Sequence, residues 1–289
     1  MNWLSILIQG GLLGGLYALF AVGLSLSFGI MRLVNIAHGD FIVLSAFAAL
    51  VAVKSLGMHP IVSLAVVLPV MFALGYALQR GVLNFTLGGN LLPPLLVTFG
   101  ISVIIQNGLL QGFGADIQRL HWGAIEVMSW KLPGGVTVGV FPLIVFVVAG
   151  AAILALQILF YRTGLGRAFR AASDDPDTAE LMGIDKRHLF ALAMAIAMVF
   201  TALAGVLFAI RTTFDPASGP IRLIFAFEAV IIGGLGSLWG TLVGGVLLGI
   251  AQQFGQALSP TWQILAGHIA FLLVLILKPS GLFPRQRDE

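Results

Sequence analysis

The chain has 289 residues, of which 59% are hydrophobic and 9% are charged, and its mean hydropathy is +1.04. An ordinary soluble domain is roughly one quarter charged residues, so this composition excludes a soluble globule and also excludes intrinsic disorder. The formal net charge is +3, which we assign to membrane orientation and not to nucleic acid binding. Cysteine is absent, so disulfide and thiol chemistry are excluded.

Stretches without Asp, Glu, Lys or Arg locate the predicted membrane spans. The first charged residue is Arg32, and the stretch before it is too long and too glycine-rich for a signal peptide. At about 20 apolar residues per crossing, the pattern predicts an all-α integral membrane protein with a single domain over residues 1–289. The spans, roughly eight in number, are predicted at 4–30, 36–54, 60–79, 94–113, 138–161, 188–210, 223–254 and 262–278.

The seventh predicted span contains a glycine-rich interruption, Gly233-Gly234-Leu235-Gly236-Ser237. Glycine weakens a helix, and the charge-free run 229–277 is too long for one crossing. We therefore predict a broken helix that forms either a re-entrant turn or a ninth crossing. Broken helices are tolerated in a membrane only where protein or a water-filled cavity surrounds them, so Gly234 and Gly236 are candidate residues of a solute pathway.

The orientation in the membrane is weakly encoded by the basic residues. With the amino terminus outside, seven basic residues fall in the inside loops and five in the outside loops. The tail residues Lys278, Arg285 and Arg287 also favour the inside. An inside carboxyl terminus requires an odd number of crossings, so the parity stays open.

Glycines four residues apart predict close contacts between helices, because two backbones approach closely where side chains are absent. We interpret these pairs as packing within one bundle, with contact to a second chain as the alternative. The pairs are Gly10 and Gly14, Gly11 and Gly15, Gly240 and Gly244, and Gly245 and Gly249.

The loop 162–188 is unusually polar: its residues 164–188 hold nine of the 27 charged residues of the chain. Asp175 is suited to cap a helix, and Pro176 is suited to its first position. Gly183 is suited to end that helix in a left-handed conformation, and Asp185 to cap the next span. A helix of this length is not stable alone. The pattern therefore predicts a short helix that rests on a partner surface, with a solvated loop as the alternative.

The same loop carries a resemblance to a known family. Gly166-Arg167-Ala168-Phe169-Arg170-Ala171, followed by Ala179-Glu180-Leu181-Met182-Gly183-Ile184, resembles the cytoplasmic coupling loop of ABC importer permeases. Four other segments are similar to the LivH-type permease of branched-chain amino acid importers and occur in the same order. They are Gly15-Leu16-Tyr17-Ala18-Leu19, Asn35-Ile36-Ala37-His38-Gly39-Asp40, the glycine interruption, and Pro279-Ser280-Gly281-Leu282-Phe283.

The resemblance implies a non-catalytic transport subunit in the bacterial inner membrane. It implies two ATPase subunits inside, a second and different permease chain, and a periplasmic solute-binding protein. No GxxxxGK[ST] phosphate loop occurs, so ATP and magnesium are expected in the partner subunits and no cofactor is expected on this chain. The residues implied to couple to the ATPase are Arg167, Arg170, Asp177, Glu180, Leu181, Met182 and Gly183.

Polar residues within the spans have more than one interpretation. The first set lies at the junction of the first two spans and forms a structural turn, an inner gate or a proton relay: Asn35, His38 and Asp40. The second set recurs every four residues on one face of the fourth span and either hydrogen-bonds to another helix or lines the pathway: Thr98, Ser102 and Gln106.

Glu228 is an ionisable residue inside an apolar stretch, which makes it a candidate functional residue. The alternative is a position near the outer membrane boundary or an ion pair with Arg222 or Arg211. LivH-type importers commonly carry Lys-Ala-Phe near this position, where this chain has Phe225-Ala226-Phe227-Glu228. An amino acid remains the expected solute, and urea, amides or organic and aromatic acids are the alternatives that related importers suggest.

Two further classes of protein are an intramembrane enzyme, for which the sequence lacks paired catalytic groups, and a secondary transporter. An ion-coupled secondary transporter would use Glu228 or Asp40 as its ion site. The five histidines are scattered, so no metal site is predicted.

The outer segment 113–137 is either a docking surface for a binding protein or a plain ordered loop.

Overall fold

The computed structural model describes residues 3–88, 92–132 and 136–283. Within these residues the chain forms an α-helical bundle with one small hairpin. Its helices are α1 (Trp3–Met31), α2 (His38–Leu56), α3 (Leu64–Gly81), α4 (Leu92–Phe113), α5 (Val140–Arg162), α6 (Gly164–Asp174), α7 (Pro176–Leu181), α8 (Lys186–Arg211), α9 (Gly219–Gly233), α10 (Leu238–Leu258) and α11 (Trp262–Leu277).

The polytopic helical bundle is confirmed, and the number of long spans differs from the prediction. Seven helices of the described chain are long and apolar enough to cross a membrane: α1, α2, α3, α4, α5, α8 and α10. The helices α9 and α11 are also apolar but have only 15 and 16 residues. The predicted eight spans therefore become seven long helices and two short ones, because the segment 223–254 divides into two helices.

The predicted break in this segment lies at the expected glycines. Helix α9 ends at Gly233 and α10 begins at Leu238. Gly234 and Gly236 have φ angles of 104° and 79°, which L side chains rarely adopt. The Ser237 hydroxyl then accepts a hydrogen bond of 3.1 Å from the Gly240 N–H and so caps α10. The chain thus reverses, and α10 packs antiparallel to α9.

The glycine pairs hold helices together within the bundle, which confirms that interpretation for this chain. A Cβ atom on Gly10 would lie 2.6 Å from the Cα atom of Ile250, and one on Gly14 would lie closer still to Val246. One on Gly245 would lie 2.7 Å from the Ala18 nitrogen. Helices α1 and α10 therefore touch backbone to backbone. Gly11 differs from its neighbours, because no atom lies within 4 Å of the Cβ position there.

A two-stranded hairpin in the outer segment was not predicted and is a small addition to the all-α bundle. Strands β1 (Ser129–Leu132) and β2 (Val136–Gly139) pair antiparallel immediately before α5. Val136 and Val138 pack against Leu12 of α1. The alternating pattern is too short to distinguish from a loop in the sequence, and its contact with α1 is what makes it a defined element.

The two ends of the described chain lie at opposite ends of α1. Trp3 stacks on Phe254 with ring centroids 5.9 Å apart, and we term this the outer end. At the other end, termed inner, the Phe283 N–H donates to the Gly233 carbonyl at 2.9 Å, and the Ser173 hydroxyl donates to Gly29 at 2.8 Å. The carboxyl-terminal segment and α6 thus share the inner face. The tail arginines Arg285 and Arg287 lie outside the described residues.

The glycine contacts give a first test of the bundle. Changing Gly14 to Ala should destabilise the protein by about 1–3 kcal/mol, because the added methyl overlaps the α10 backbone. Changing Gly11 to Ala on the same helix should be neutral or stabilising by up to about 1 kcal/mol, since alanine is the better helix former. The thermal midpoint of the detergent-solubilised protein measures both. Equal effects of the two substitutions would contradict the proposed contact.

Candidate functional site

A cavity of about 730 Å³ lies beside the amino-terminal half of α1, and we call it the outer cavity. This volume is that of a typical small-molecule site. Apolar side chains of α1, α8 and α9 form part of its wall. Its polar side chains include Gln9, Tyr17, Arg211, Arg222, Gln252, Gln253, Gln256 and Gln263.

The two arginines of the outer cavity come from consecutive helices. Arg211 is the last residue of α8, and Arg222 lies in the first turn of α9. The Arg222 guanidinium lies over the ring of Phe208, 4.6 Å from its centroid, which fixes the direction of the charged group. The Arg211 Nη1 atom is buried and has no hydrogen-bond partner among the described residues.

Hydrogen bonds between α1 and α10 order the opposite wall of the outer cavity. The Tyr17 hydroxyl donates to Gln252 Oε1 at 2.5 Å, and Gln253 Nε2 donates to Gln9 Oε1 at 3.2 Å. Gln252 Nε2 is buried without a hydrogen-bond partner in the described part of the chain. The wall is therefore prearranged and still offers an unused donor.

A second cavity of about 1360 Å³ lies at the inner end of α1, and we call it the inner cavity. Its wall includes residues of α1 between Ser25 and Arg32, Arg170 of α6, and residues of the glycine break between Leu235 and Trp239. On α1 the outer cavity reaches Phe20 and the inner cavity begins at Ser25. The four residues 21–24, termed the barrier segment, therefore separate the two cavities along this helix.

The barrier segment is tightly packed. Phe20 beside it meets Phe208 edge to face with centroids 5.7 Å apart. The His38 Nε2–H group donates to the Phe20 carbonyl oxygen at 2.7 Å. A Cβ atom on Gly23 would lie 2.7 Å from Thr201 Oγ1. The start of α2 and the middle of α8 thus close the bundle between the cavities.

The predicted polar cluster at the start of α2 is buried and hydrogen-bonded. Asn35 Oδ1 accepts from the Ala37 N–H at 3.0 Å, which forms the turn before α2. Asp40 Oδ1 accepts from Gln106 Nε2 at 2.9 Å. The carboxylate also lies against Gly219, where any Cβ atom would overlap it. Asp40 therefore joins α2, α4 and α9.

The polar stripe of α4 faces the same cluster. Thr98 Oγ1 accepts from the Ile36 N–H at 3.2 Å, and Ser102 Oγ accepts from Gln106 Nε2 at 3.2 Å. The structure thus contains the interhelical hydrogen bonds that were one of the two interpretations. The six residues of the cluster and the stripe line neither the outer nor the inner cavity.

Glu228 has a different partner from the one expected. Its side chain is 4% exposed, and its Oε1 atom hydrogen-bonds to His268 Nδ1 of α11. The expected partners Arg211 and Arg222 instead face the outer cavity. Only the tertiary packing of α9 against α11 brings the histidine, 40 residues away in the sequence, to this carboxylate. Of the two glycines in the predicted pathway, Gly236 lines the inner cavity and Gly234 packs against Gly281.

The predicted short helix in the polar loop is present as α7. The Asp175 Oδ1 atom accepts from the N–H groups of Asp177 and Thr178, both at 3.1 Å. The hydroxyl of Thr178 and these amides lower the pKa of Asp175. The cap is therefore ionised at neutral pH, and its contribution is lost only as the pH falls through the lowered pKa. Gly183 has a φ angle of 87° and ends the helix as predicted.

The next span also begins as predicted. The Asp185 Oδ1 atom accepts from the His188 N–H at 3.0 Å and caps α8, and this bond lowers the pKa of Asp185. Lys186 bridges back to Asp177 at 3.0 Å and to Glu180 at 2.7 Å. These pairs tie α7 to the start of α8, so α7 is held in a fixed direction.

Helix α6 was not predicted, although its signal is present in the sequence. The Thr163 hydroxyl caps it by accepting from the Gly166 N–H at 3.0 Å. Phe169 and Ala172, three residues apart, are its buried face. Arg170 hydrogen-bonds to the Phe160 carbonyl and so attaches α6 to the end of α5. The apolar stripe of α6 is short and lies among charged residues, so the sequence pattern did not indicate a helix there.

The tip of α7 is an exposed apolar surface. Leu181 and Met182 are 88% and 80% exposed, although both are large apolar side chains. Arg167 on α6 is exposed as well. We use the name coupling knob for residues 164–185, which combine α6, α7 and this tip. Such a rigid surface with uncovered apolar side chains is typical of a contact with another protein.

Comparison with known proteins places this arrangement in a family. The family profile described as branched-chain amino acid transport system, permease component, matches residues 6–277. The chain belongs to this family of permease components. It is therefore a non-catalytic transport subunit, as the resemblance implied.

Relatives match this permease over its full length. It is 30% identical to the high-affinity branched-chain amino acid transport system permease protein BraD of Pseudomonas aeruginosa, and 27% identical to the corresponding protein LivH of Escherichia coli. Both alignments cover 100% of this chain and 98% of the relative. The permease protein LivM of Escherichia coli is 26% identical over 95% of this chain and 69% of its own length. No solved structure matches.

The arginines of the outer cavity are the residues that sequence reasoning missed in this permease. Arg211 and Arg222 were considered only as partners for Glu228. A usable signal existed, because each arginine ends or begins an apolar run and Tyr17 lies within a family motif. The convergence of three helices on one cavity is not visible in the sequence.

The pair of Glu228 and His268 gives a second test. Changing His268 to Ala should destabilise the permease by about 1–3 kcal/mol, because a buried carboxylate loses its partner. Adding Glu228→Gln to that variant should recover part of the loss, since the amide carries no charge to bury. Thermal midpoints of the two single variants and the double variant give the coupling energy. Strictly additive effects would contradict the interaction.

Proposed function

We propose that this permease forms one half of an alternating-access pathway in the bacterial inner membrane and imports a small polar solute at the expense of ATP hydrolysed by partner subunits. The observation that carries the proposal is the pair of cavities at opposite ends of α1 with the packed barrier segment between them. Opening one cavity while closing the other requires only a shift of the helices around this segment.

We infer nine crossings, in which the short helices α9 and α11 complete the bundle. The antiparallel packing of α9 and α10 supports this number, and so do the opposite positions of Trp3 and Phe283. An odd count places the carboxyl terminus on the inner face, where the positive-inside rule favours the basic tail. The glycine break is then the turn between two crossings.

The gate between the cavities would be the contact of α1 with the start of α2. The cluster of Asn35, His38 and Asp40, braced by the stripe of α4, holds α2 in this position. In this proposal, the hydrogen bonds of these residues stabilise the closed position of α2 and break when the helices shift. Helix α9 contacts Asp40 through Gly219, and Glu228 would connect this helix to α11.

The coupling knob would transmit closure of an ATPase subunit to the gate. Its α6 is attached at one end to α5 through Arg170 and at the other to α1 through Ser173 and Gly29. A displacement of Leu181 or Met182 would therefore be transmitted to α1 and α5, two of the helices that border the inner cavity. Because α7 is tied to α8 by Lys186, the knob moves as one body.

The relatives support the proposed partners, and so do two surfaces of the chain, the coupling knob and the outer hairpin β1–β2. The relatives are named as permeases of high-affinity transport systems, and this chain is similar both to LivH and to LivM. We propose a complex with a second, different permease of the LivM kind, two ATPase subunits on the inner face and a periplasmic binding protein. The outer hairpin β1–β2 beside the outer cavity would be part of the surface that meets the binding protein.

The coupling knob gives a third test. Changing Glu180 to Lys or Gly183 to Pro should abolish ATP-driven uptake while the protein still inserts. The first change breaks the bridge to Lys186, and the second is incompatible with the positive φ angle at residue 183. Uptake of labelled leucine by cells, together with co-purification of the ATPase subunits, measures the effect.

A matched control is a charge reversal elsewhere on the inner face. Lys278 is exposed and follows α11, outside residues 164–185, so Lys278→Glu should leave uptake within about twofold of the unmodified protein. Normal uptake by Glu180→Lys or Gly183→Pro would refute the coupling role of the knob.

A further inference from the structure

Two positive charges face the outer cavity without a matching negative charge. Arg211 and Arg222 both line it, and no Asp or Glu of the described chain does. Neither guanidinium lies within 4.0 Å of a carboxylate in residues 3–88, 92–132 and 136–283. Charges held in a partly buried, membrane-embedded wall are costly unless they are paired. A negatively charged ligand would supply the missing partner.

The nearest acidic groups are occupied elsewhere. Asp215 lies within electrostatic range of Arg222, but its carboxylate accepts from the Ala217 N–H at 2.8 Å and the Ser218 hydroxyl at 2.9 Å. Glu228 hydrogen-bonds to His268. Neither arginine therefore forms a salt bridge with these two carboxylates.

The arginines are also prevented from turning away. The Phe208 ring lies under the guanidinium of Arg222. Arg211 keeps a buried Nη1 atom with unused donors in the part of the chain that the structure describes. Both guanidinium groups lie within electrostatic range of the Tyr17 hydroxyl, so both charges act on the same part of the cavity. Two planar groups with forked donors match the two oxygens of a carboxylate.

The rest of the cavity suits a small organic molecule. Leu16, Phe20 and Phe225 offer an apolar surface next to the arginines. The glutamines of α10 and α11 offer amide groups that donate and accept hydrogen bonds. An ion with a full hydration shell would not need the apolar part of this wall.

We propose that Arg211 and Arg222 form a carboxylate-binding subsite through which the solute passes, so that this permease selects solutes with a free carboxylate and rejects urea and neutral amides. The subsite deepens the proposed function, on which its role in import rests. It narrows the solutes that the sequence left open to amino acids and organic acids. The binding of a carboxylate does not itself depend on transport and is tested separately.

The absence of cysteine from this chain allows a direct test of the charge in the cavity. Gln256 is exposed to the cavity, so Gln256→Cys places a thiol there. In the assembled transporter, the rate of its reaction with an anionic methanethiosulfonate (MTSES) is compared with that of a cationic one (MTSET). Val127→Cys, 81% exposed on the outer segment, gives the reference ratio outside the cavity.

We expect the anionic reagent to be favoured at residue 256 by about tenfold or more over the reference, as a positively charged cleft concentrates anions. Adding Arg211→Gln and Arg222→Gln should bring the ratio within about twofold of the reference. Arg119→Gln, which removes a charge from the outer segment, is the matched control and should not change it. A ratio equal to the reference, or one that survives loss of both arginines, would overturn the subsite.

Protection of the thiol then tests the class of ligand. Leucine and isovalerate, which carry a carboxylate, should slow labelling of Gln256→Cys, whereas leucinamide and urea should not. Changing both arginines to Lys should retain the preference for the anionic reagent and weaken the protection, because the forked donors are lost. Equal protection by leucine and leucinamide, or none by leucine and isovalerate, would refute carboxylate recognition.

Uptake separates this proposal from the proposed function. If isovalerate protects the thiol but wild-type transporter imports no leucine with ATP, the amino acid solute is wrong and the subsite stands. If leucine is imported normally by the Arg211→Gln and Arg222→Gln double variant, the subsite is wrong and the importer stands. If both proposals are correct, leucine uptake by the double variant should be lower than that of the wild type by about tenfold or more.

Discussion

The architecture depends on the direct contact between the backbones of α1 and α10. In lipid no hydrophobic effect drives helices together, so their association depends on close van der Waals packing between them. Glycines on both helices allow this contact, and Gly15 extends it to Phe146 of α5. Because α1 packs closely on α10 and on α5, it forms a wall that the two cavities share, with the barrier segment between them.

The chemistry of the permease is arranged along this helix. The outer half of α1 contributes Tyr17 and Gln9 to a cavity with two arginines, and its inner end accepts a hydrogen bond from the coupling knob at Gly29. The outer cavity and the coupling knob are thus connected through one helix. Because α1 packs on α5, α8 and α10, a displacement at its inner end is transmitted along the helix.

Local signals in the sequence were reliable where they concern one turn of the chain. The helix caps Asp175 and Asp185 and the helix end at Gly183 were predicted correctly. These roles depend on backbone geometry within four residues. The break at Gly234 and Gly236 follows from the same reasoning. Helix α6 and the hairpin β1–β2 were missed, since each is defined by contacts with α5 or α1 and carries a weak pattern of its own.

The sequence by itself determined that this protein lies in a membrane, where most of its long helices begin and end, and which loop contains a short capped helix. Composition and short-range capping suffice for these features. The tertiary structure decided which polar groups meet: Glu228 pairs with His268 and not with an arginine, and Arg211, Arg222 and Tyr17 share one cavity. Such encounters depend on how separate helices pack, and no local pattern specifies that packing.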